Sequence, residues 1–552
     1  MNCMKLNLVA LLLAMSTGCI IHRGALGGED AGPSPSDAAG DAFDAPDARV
    51  DAPRDAGVDA NAFDGGPDAA IDADLDAPLN DAGSDAQVDA PIDFDTGSLD
   101  AGSDAGSDAA TPIDAATPID AATPIDAATP IDASLPPDAG VDAMTPSDAG
   151  TDAAPCVPSS SFCSSMNTLS RCVGGVFTTT TCPLGCFPED TSRAHCGVMV
   201  PTHVPEAQLG LPGLAAVTVP DDQGYIFHTD TGQIQRRTGA GLEEIRMAGT
   251  GTIAGIDFAL VTQASEPSIG SFAMASFNVS ARGQVRTVGA AALAILSQGA
   301  VMVAGNIDVG ANGLVGGSGG YDAESGPGAG GRGETAGSPE PGGGGGGFGG
   351  RGGAGDNDFL LSGGAGGVAY GDAALTLLQG GSGGGRGENG RGGGGGGAIQ
   401  ITSLVSISIT GVIMAPGEGG RPDQEGAGGG GAGGGIFLEA PSITWTTPGI
   451  LAVNGGGGGG GNTAASSSNA GERGLASSVA AAGGVSSLGD GGGGAGAAGA
   501  TNSGADGVGV FASGGGGGSG GRVRVLTFSG FAPAGLVASP TAALSAGRIT
   551  VR

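Results

Sequence analysis

The feature that most constrains this chain is the alternation of glycine runs with short strand-like segments. In residues 392–420, six consecutive glycines lead into a segment rich in isoleucine, serine and threonine, which returns to glycine. Glycine has no side chain to bury and loses the most conformational freedom on ordering, whereas β-branched residues favour strands. Of the 118 glycines, 83 lie in residues 301–521. The strand segments must therefore build the core, and the glycine runs must be insertions between them.

The strand segments repeat along the chain. Each copy places aliphatic residues at alternate positions, and the longer copies carry a glycine at a bend. The matching segments are 301–309 with 407–415, 398–403 with 435–440, and weaker copies at 277–279, Val285 and 523–525. The repeat after residue 440 continues through Ile443 and Trp445 with one extra residue near Pro448. Short repeated strands bury a face only when they stack, so residues 198–552 are predicted to form an all-β head, a parallel β-solenoid of the right-handed β-helix type with long glycine-rich insertions.

The conformation of the glycine runs, at 316–397, 417–435 and 454–521, stays open at this point. Fixing six glycines costs about 6–12 kcal/mol, and they bring no side chain to offset it. The runs are either mobile or packed as polyglycine II helices that are joined by backbone hydrogen bonds. Within the longest run, Val368–Gly371 and the leucines at 375, 377 and 378 are the only apolar anchor, which we expect to dock onto the strands.

The amino terminus, residues 1–18, reads as a signal peptide. Lys5 supplies a positive charge, and the apolar stretch from Leu8 to Met15 is too short to span about 30 Å of hydrocarbon. The following Ser-Thr-Gly-Cys resembles a bacterial lipobox, although Ser16 stands where leucine is usual. The resemblance implies lipidation of Cys19 and, because Ile20 rather than aspartate follows, anchoring to the outer membrane. An ordinary signal peptide with an unrelated cysteine is the alternative.

Residues 19–155 are predicted to be a disordered, extended tether. They contain an Ala-Ala-Thr-Pro-Ile-Asp repeat, and Glu29 to Asp152 hold 30 acidic residues against two arginines, a local charge of about −28. Low hydrophobicity, high charge and regular proline prevent such a segment from folding. A stalk that lifts the head from a membrane is the preferred interpretation, and a weak calcium sponge or a solubilising linker are the alternatives. The negative charge argues against a nucleic-acid partner.

A small disulfide-rich module is predicted at residues 156–197. Of the eight cysteines, Cys3 leaves with the signal peptide and Cys19 carries the lipid, which leaves an even six: Cys156, Cys163, Cys172, Cys182, Cys186 and Cys196. In an exported protein these cysteines predict three disulfides, with 15 pairings possible. A zinc site that uses Cys182, Cys186, His195 and Cys196 is the rival interpretation. A structural knot between tether and head is preferred over a binding role.

No catalytic residue, metal site or cofactor is predicted, and the protein is expected not to be an enzyme. The sequence has no H-E-x-x-H, G-x-S-x-G or P-loop motif. Asp308 and Glu439 are the only acids in the clear strand segments. They occupy different places in the repeat, so a β-helix polysaccharide lyase or hydrolase, which pairs carboxylates on one sheet, is only a minor alternative.

Two further patterns occur in the glycine-rich part. Residues 352–360 resemble one calcium-binding repeat nonapeptide, with Asn357 where aspartate is usual, but such sites need tandem copies. The arginines 332, 351, 386 and 391 sit in Arg-Gly-Gly-like contexts, which we interpret as solubilising charge rather than an RNA-binding surface.

The order of segments along the chain resembles that of glycine-rich surface lipoproteins of myxobacteria and related predatory bacteria. The resemblance rests on the lipobox, the Asp/Ala tether, the six-cysteine module with CPLGC, and the phrases YGDAALTLLQGGSGGG, GGGGAIQITS and GGGIFLEAPSIT. It implies location and architecture and carries no activity. The expected function is that of a non-enzymatic, surface-anchored structural or adhesive protein. The alternative is a module that binds polysaccharide or a neighbouring cell surface.

Overall fold

The computed structural model describes residues 155–552, except for 266, 336–340, 359–360, 463–466 and 510–511. All of these belong to the second of two compact units, Pro137–Arg552. The predicted signal peptide, Cys19 and the tether up to residue 154 lie outside the described residues. Within the described part, no helix is both long and apolar enough to cross a membrane.

The cysteine module is a set of short antiparallel strands held by disulfides. Its strands are β1 (Ser161–Ser165), β2 (Thr168–Val173), β3 (Val176–Thr181), β4 (Cys186–Pro188) and β5 (Ala194–Cys196). The first three form one sheet, and β4 pairs with β5. The disulfides join Cys156 to Cys172, Cys163 to Cys186 and Cys182 to Cys196. The three bridges predicted from the sequence are therefore present, in one of the 15 possible arrangements.

The rest of the described chain contributes the remaining strands and two short 3-10 helices. The helices are Glu206–Gly210 and Thr541–Ala543. The strands are β6 (Met199–Val200), β7 (Ala216–Val219), β8 (Gly224–His228), β9 (Ile234–Thr238), β10 (Gly241–Arg246), β11 (Gly251–Ile253), β12 (Ile256–Val261), β13 (Ile269–Met274), β14 (Ser276–Val279), β15 (Gln284–Val288), β16 (Ala292–Ser297), β17 (Val301–Val303), β18 (Asn306–Asp308), β19 (Ala398–Ser403), β20 (Ser406–Ile409), β21 (Val412–Met414), β22 (Gly435–Glu439), β23 (Ser442–Trp445), β24 (Ile450–Ala452), β25 (Gly491–Gly492), β26 (Val508–Gly509), β27 (Arg522–Thr527), β28 (Ala538–Ser539), β29 (Leu544–Arg548) and β30 (Thr550–Val551).

Three sheets carry most of these strands. Sheet I has the order β23-β20-β17-β14-β7, sheet II the order β10-β9-β8-β15-β18-β21-β24-β28, and sheet III the order β11-β12-β13-β16-β19-β22-β27-β29. From β14 to β27 the chain visits sheets I, II and III in the same rotation four times, and the strands it lays side by side are parallel. The predicted all-β class and its parallel sheets are confirmed.

The strand register agrees with most of the sequence repeat. Val301 lies opposite Ile407, Ile307 opposite Ile413, and Ile399 opposite Ile436, as the gapless matches predict. The prediction of a single extra residue near Pro448 is wrong. Partners differ by 37 positions between β19 and β22, by 36 between β20 and β23, and by 38 between β21 and β24. One residue is therefore lost before β23 and two are gained before β24.

The aliphatic positions of all three sheets meet in one core. It includes Phe277, Val301, Ile307, Ile407 and Ile436, all essentially buried. The outer face of sheet III is covered as well, by residues 199–211, which we call the cover segment. Leu209 of this segment packs on that face together with Ala292, Ala294 and Leu296 of β16. At its start, β6 pairs with β30, so the last strand of the chain fastens the segment that leaves the cysteine module.

All three glycine-rich insertions leave the strands at the same corner. Each one connects a strand of sheet II to the next strand of sheet III: β18 to β19, β21 to β22, and β24 to β27. The corner between β15 and β16 is closed by only a short turn. Because the insertions start from equivalent places in successive turns of the chain, they lie beside one another.

The glycine runs form one hydrogen-bonded bundle. Residues 427, 430 and 433 donate their backbone N–H groups to residues 513, 516 and 519. Residues 428 and 431 donate to 421 and 418, and residues 429 and 432 donate to 385 and 382. Every third residue thus faces the same neighbour, which is the three-residue turn of the polyproline II helix. Of the two conformations left open by the sequence, the structure shows polyglycine II helices joined by their backbones.

Close approach explains why these positions are glycine. A Cβ atom on Gly430 would lie inside the van der Waals radius of the Gly456 oxygen, and one on Gly518 would meet the Gly431 oxygen. These neighbours are backbone atoms that cannot turn aside. The hydrogen bonds, each worth about 1 kcal/mol net, replace the side-chain burial that the runs lack.

The predicted apolar anchor packs against the strands, although some of its residues stay exposed. Leu375 and Leu378 are buried against the outer face of sheet III beside Phe437 and Phe348. Val368 stays 59% exposed. The anchor fixes the longest insertion to the strands, and so helps to set the register of the bundle.

Candidate functional site

The outer end of the glycine bundle is the candidate functional site, and we call it the tip. It lies opposite the end where the runs join the strands through bonds such as Gly434 N–H to the Ala415 oxygen. Loops from all three insertions meet at the tip. Their contacts are the bridges of Asp423 with Gly461 and of Gly426 with Ser513, and the bond from Ala354 N–H to Asp506 Oδ1 at 2.7 Å. At about 3.1 Å per residue, a nine-residue run such as 426–434 places the tip about 25 Å from the strands.

Two aspartates at the tip are enclosed to different degrees, since Asp358 is buried and Asp356 is half-buried. Asp358 is only 4% exposed, and the Oδ2 atoms of Asp356 and Asp358 have no hydrogen-bond partner. Burial raises the pKa of Asp356 to about 6, and the charge of Asp358 adds to that rise. Burial, together with the negative charge of Glu425, also raises the pKa of Asp358. Both aspartates lie in residues 352–360, the nonapeptide-like segment noted in the sequence.

A second polar network lies under the cover segment. The carboxylate of Glu439, fully buried in sheet III, accepts hydrogen bonds from Thr202 N–H (3.1 Å) and Oγ1 (2.8 Å), from Gln400 Nε2 (2.7 Å) and from Thr402 Oγ1 (2.7 Å). Burial raises the pKa of Glu439, and the donors from Thr402 and Thr202 act against the rise. The network binds the cover segment to the strands and leaves no carboxylate oxygen open for chemistry.

His203 continues this network. Its Nδ1 lies 2.8 Å from Gln400 Oε1 and its Nε2 lies 2.6 Å from the Leu375 carbonyl oxygen, while its ring packs edge-on against Phe437. His203 therefore joins the cover segment, sheet III and the apolar anchor at one point.

The structure does not bring Asp308 and Glu439 together. Asp308 belongs to β18 in sheet II, where its Oδ1 accepts bonds from Gly310 N–H at 2.9 Å and from Arg473 Nη2 at 2.8 Å. Glu439 belongs to β22 in sheet III. Each carboxylate thus has its own structural partners, and the two are not a catalytic pair on one sheet.

The six cysteines of the module are engaged in disulfides, which excludes the zinc site considered from the sequence. Cys182 and Cys196 pair with each other, Cys186 pairs with Cys163, and the Nδ1 of His195 lies 3.0 Å from the Cys196 oxygen. Among the described residues, no group of three or more His, Cys, Asp or Glu side chains is arranged to hold a metal ion.

The arginines in Arg-Gly-Gly contexts lie along the bundle. Arg391 pairs with Glu324 through Nε at 3.0 Å, and Arg386 donates from Nε to the Glu388 oxygen at 2.9 Å. The first contact joins two segments of the first insertion, and the second is local to one loop.

A shallow groove of about 860 Å³ lies along the β8–β15 side of sheet II. It is lined by polar side chains that include Asp222, Arg237, Arg282 and Gln284. Arg282 donates to both oxygens of Asp222, at 2.7 and 2.8 Å. The groove offers donors and acceptors of the kind that bind sugar hydroxyl groups, and sequence reasoning did not identify it because its residues come from separate turns.

Comparisons with protein-family models, with curated proteins and with solved structures found no match for this chain.

Proposed function

We propose that the protein is a non-enzymatic cell-envelope lipoprotein that acts by contact, as a structural or adhesive protein of the surface. In this proposal Cys19 is lipidated, the acidic tether spans the distance from the outer membrane, and the cysteine module joins the tether to the head. The resemblance to myxobacterial surface lipoproteins and the pattern of the first 19 residues support this location.

The head is proposed to be a right-handed parallel β-solenoid. Support comes from the repeated passage of the chain through sheets I, II and III in one rotation and from the in-register aliphatic ladders. The right hand follows the strong general preference for right-handed crossovers between parallel strands.

The observation that carries the contact function is the bundle itself. Three insertions from one corner are interlocked: Gly343 N–H donates to Ala427, Ala427 N–H to Ser513, and Gly516 N–H to Gly343. A bundle held by its backbone can expose varied loops at its tip without depending on their side chains. Such a construction suits a projecting contact surface, for which polysaccharide or a neighbouring cell surface are the proposed partners.

Protease shaving of intact cells tests this proposal, with the head detected by antibody. We expect the head to be lost while periplasmic control proteins survive, and a Cys19→Ser variant to leave the membrane fraction. A head that is protected in intact cells would contradict surface display and adhesion.

A polysaccharide-binding head is the second candidate, favoured by the polar groove beside β15. Binding on a glycan array that is lost in Gln284→Ala but unaffected by substitutions at the tip would support it. Cleavage of the bound polymer would instead revive the β-helix lyase or hydrolase.

A further inference from the structure

The groove on sheet II continues past β15 to the corner between sheets I and II. A second depression of about 270 Å³ adjoins it, lined by residues that include Asn306 and Pro448. Arg282 and Gln284 line both depressions. The two therefore form one groove, which runs from the turn at Gly239 to the turn at Pro448 and crosses the strands rather than following them.

The shape of the second depression follows from the lengths of the turns at this corner. The chain passes from sheet I to sheet II through four residues at 280–283 and at 446–449, but through only two at 304–305 and at 410–411. A Cβ on Gly411 would meet a backbone oxygen of the neighbouring turn, so the short turns are closely stacked. The corner is therefore low between two higher turns, and the backbone fixes this shape without a ligand.

The floor of the groove is a row of residues at one position of successive strands. Each member lies opposite the next in the register, and from β9 to β21 they are Arg237, Gly224, Gln284, Asn306 and Val412. Gln284 is exposed and Asn306 is half-buried. Because neighbouring strands lie about 4.8 Å apart, the row repeats at that spacing over about 19 Å.

The charges along the groove give no repeated attraction for an anion. Arg282 donates to both oxygens of Asp222, and its backbone N–H donates to Asp221 Oδ1 at 2.9 Å. Among the described residues that line the groove, Arg237 is the only cation outside an ion pair, and it stands at one end. A polyanion carries a charge on every unit, which this single cation does not match. The amide side chains of the floor both donate and accept, which suits hydroxyl groups.

The strands under the groove offer no free backbone edge. β15 pairs with β8 and β18, and β18 pairs with β15 and β21. A peptide strand therefore cannot add to sheet II here, although this is a common way in which a sheet binds an extended peptide. An occupant of the groove must instead be recognised by side chains that repeat once per strand.

We propose that the groove binds an extended, neutral polysaccharide of the β-1,4-linked type, laid across the strands with one sugar unit per strand. A unit of such a chain advances by nearly the distance between neighbouring strands, so successive units meet equivalent positions of the row. The row accommodates about four units. The inference rests on the second proposed function, polysaccharide binding by the head, and adds the class, the path and the length of the bound chain.

Calorimetric titration of the full chain with cello-oligosaccharides and chito-oligosaccharides of increasing length tests the proposal. We expect the affinity for at least one series to rise with each added unit up to about four units, where the row ends, and to change little beyond. In Asn306→Ala the affinity for the tetrasaccharide should fall about fivefold, because one hydrogen-bonding side chain is lost. The matched control is Asn278→Ala, a half-buried asparagine of β14 in sheet I, which should titrate as the parent does.

An affinity that does not depend on length, or that is unchanged in Asn306→Ala, would overturn this inference and leave polysaccharide binding elsewhere on the head in place. A parent that binds neither series would overturn the inference, and a glycan array without binding would remove the second proposed function as well. Oligomers of β-1,4-linked mannuronic acid share the linkage but are charged, so tighter binding of these would contradict the neutral class. Circular dichroism checks that Asn306→Ala is folded. If it is not, the exposed position in Gln284→Ala carries the same test with the same expectations.

Discussion

The strands and the glycine bundle are ordered by opposite means. In the strands, aliphatic side chains such as Ile407 and Ile436 fill a core, and this burial holds the strands in place to form their backbone hydrogen bonds. In the bundle, backbone bonds point in three directions around each helix, and the close backbones leave no room for a Cβ at positions such as Gly430. The strands should therefore be sensitive to lost volume and the bundle to added volume. This difference makes the comparison open to direct test.

The largest effect is expected from removing volume in the strands. Ile409 is fully buried in the core, so Ile409→Ala should lower the free energy of unfolding by about 2–5 kcal/mol. Chemical denaturation measures the change. Val405, which precedes the same strand and is 53% exposed, provides the control, since Val405→Ala should cost less than about 0.5 kcal/mol. Similar losses at the two positions would break the account of the core.

Adding one methyl group to the bundle should have the next largest effect. Gly430→Ala forces a Cβ into the Gly456 oxygen, and we expect a loss of about 1–3 kcal/mol. Hydrogen exchange should accelerate in residues 426–434 and in their partners at 513–519. The control is Gly239→Ala, because an added Cβ there meets nothing within 4 Å. A Gly430→Ala protein as stable as this control would show that the bundle is looser than described.

A smaller loss is expected under the cover segment. Glu439→Gln keeps the shape but turns an amide N–H₂ toward groups that already donate, so we expect destabilisation of about 1–2 kcal/mol. Limited proteolysis should then cut residues 199–211 faster than in the parent. Unchanged cleavage would mean that the network does not hold this segment.

The smallest expected effect is a gain in stability from a substitution at the tip, and this gain depends on pH. The raised pKa of Asp356, about 6, means that its ionised form is disfavoured in the folded state. Asp356→Asn should therefore be more stable than the parent by about 1 kcal/mol above pH 6. The gain should shrink as the pH falls through 6 toward 4, where the parent carboxyl is neutral. Thermal unfolding at pH 8 and pH 4 measures it, and a gain that is equal at both values would contradict this cause.

The strands could be predicted in detail because their sequence pattern specifies which residues pair between neighbouring strands. Alternating aliphatics around a bend glycine align Val301 with Ile407 in only one way. The shift near Pro448 is two residues rather than the predicted one. One residue is also lost before β23, and no feature of the sequence marks that loss. The partners of a glycine run were not predictable, since identical residues specify no register. The common corner and the anchor at Leu375 and Leu378 supply it instead.

The sites outside the repeat gave weaker signals. Thr202 meets Glu439 across 237 positions, and nothing in either local sequence announces the contact. The segment 352–360 is marked in the sequence by its resemblance to a calcium repeat, but the Asp506 and Gly514 oxygens that accept its N–H groups belong to another insertion. Only the stacking of the insertions brings these oxygens together.

The most direct test of the central claim is hydrogen–deuterium exchange of the full chain, followed by mass spectrometry of peptides that cover residues 341–349, 426–434 and 512–521. If the glycine runs are helices joined by their backbones, their amides should exchange many times more slowly than an unstructured chain of the same sequence, and nearly as slowly as β19 and β22. Exchange at the unstructured rate in all three peptides, with the strands still protected, would contradict the bundle.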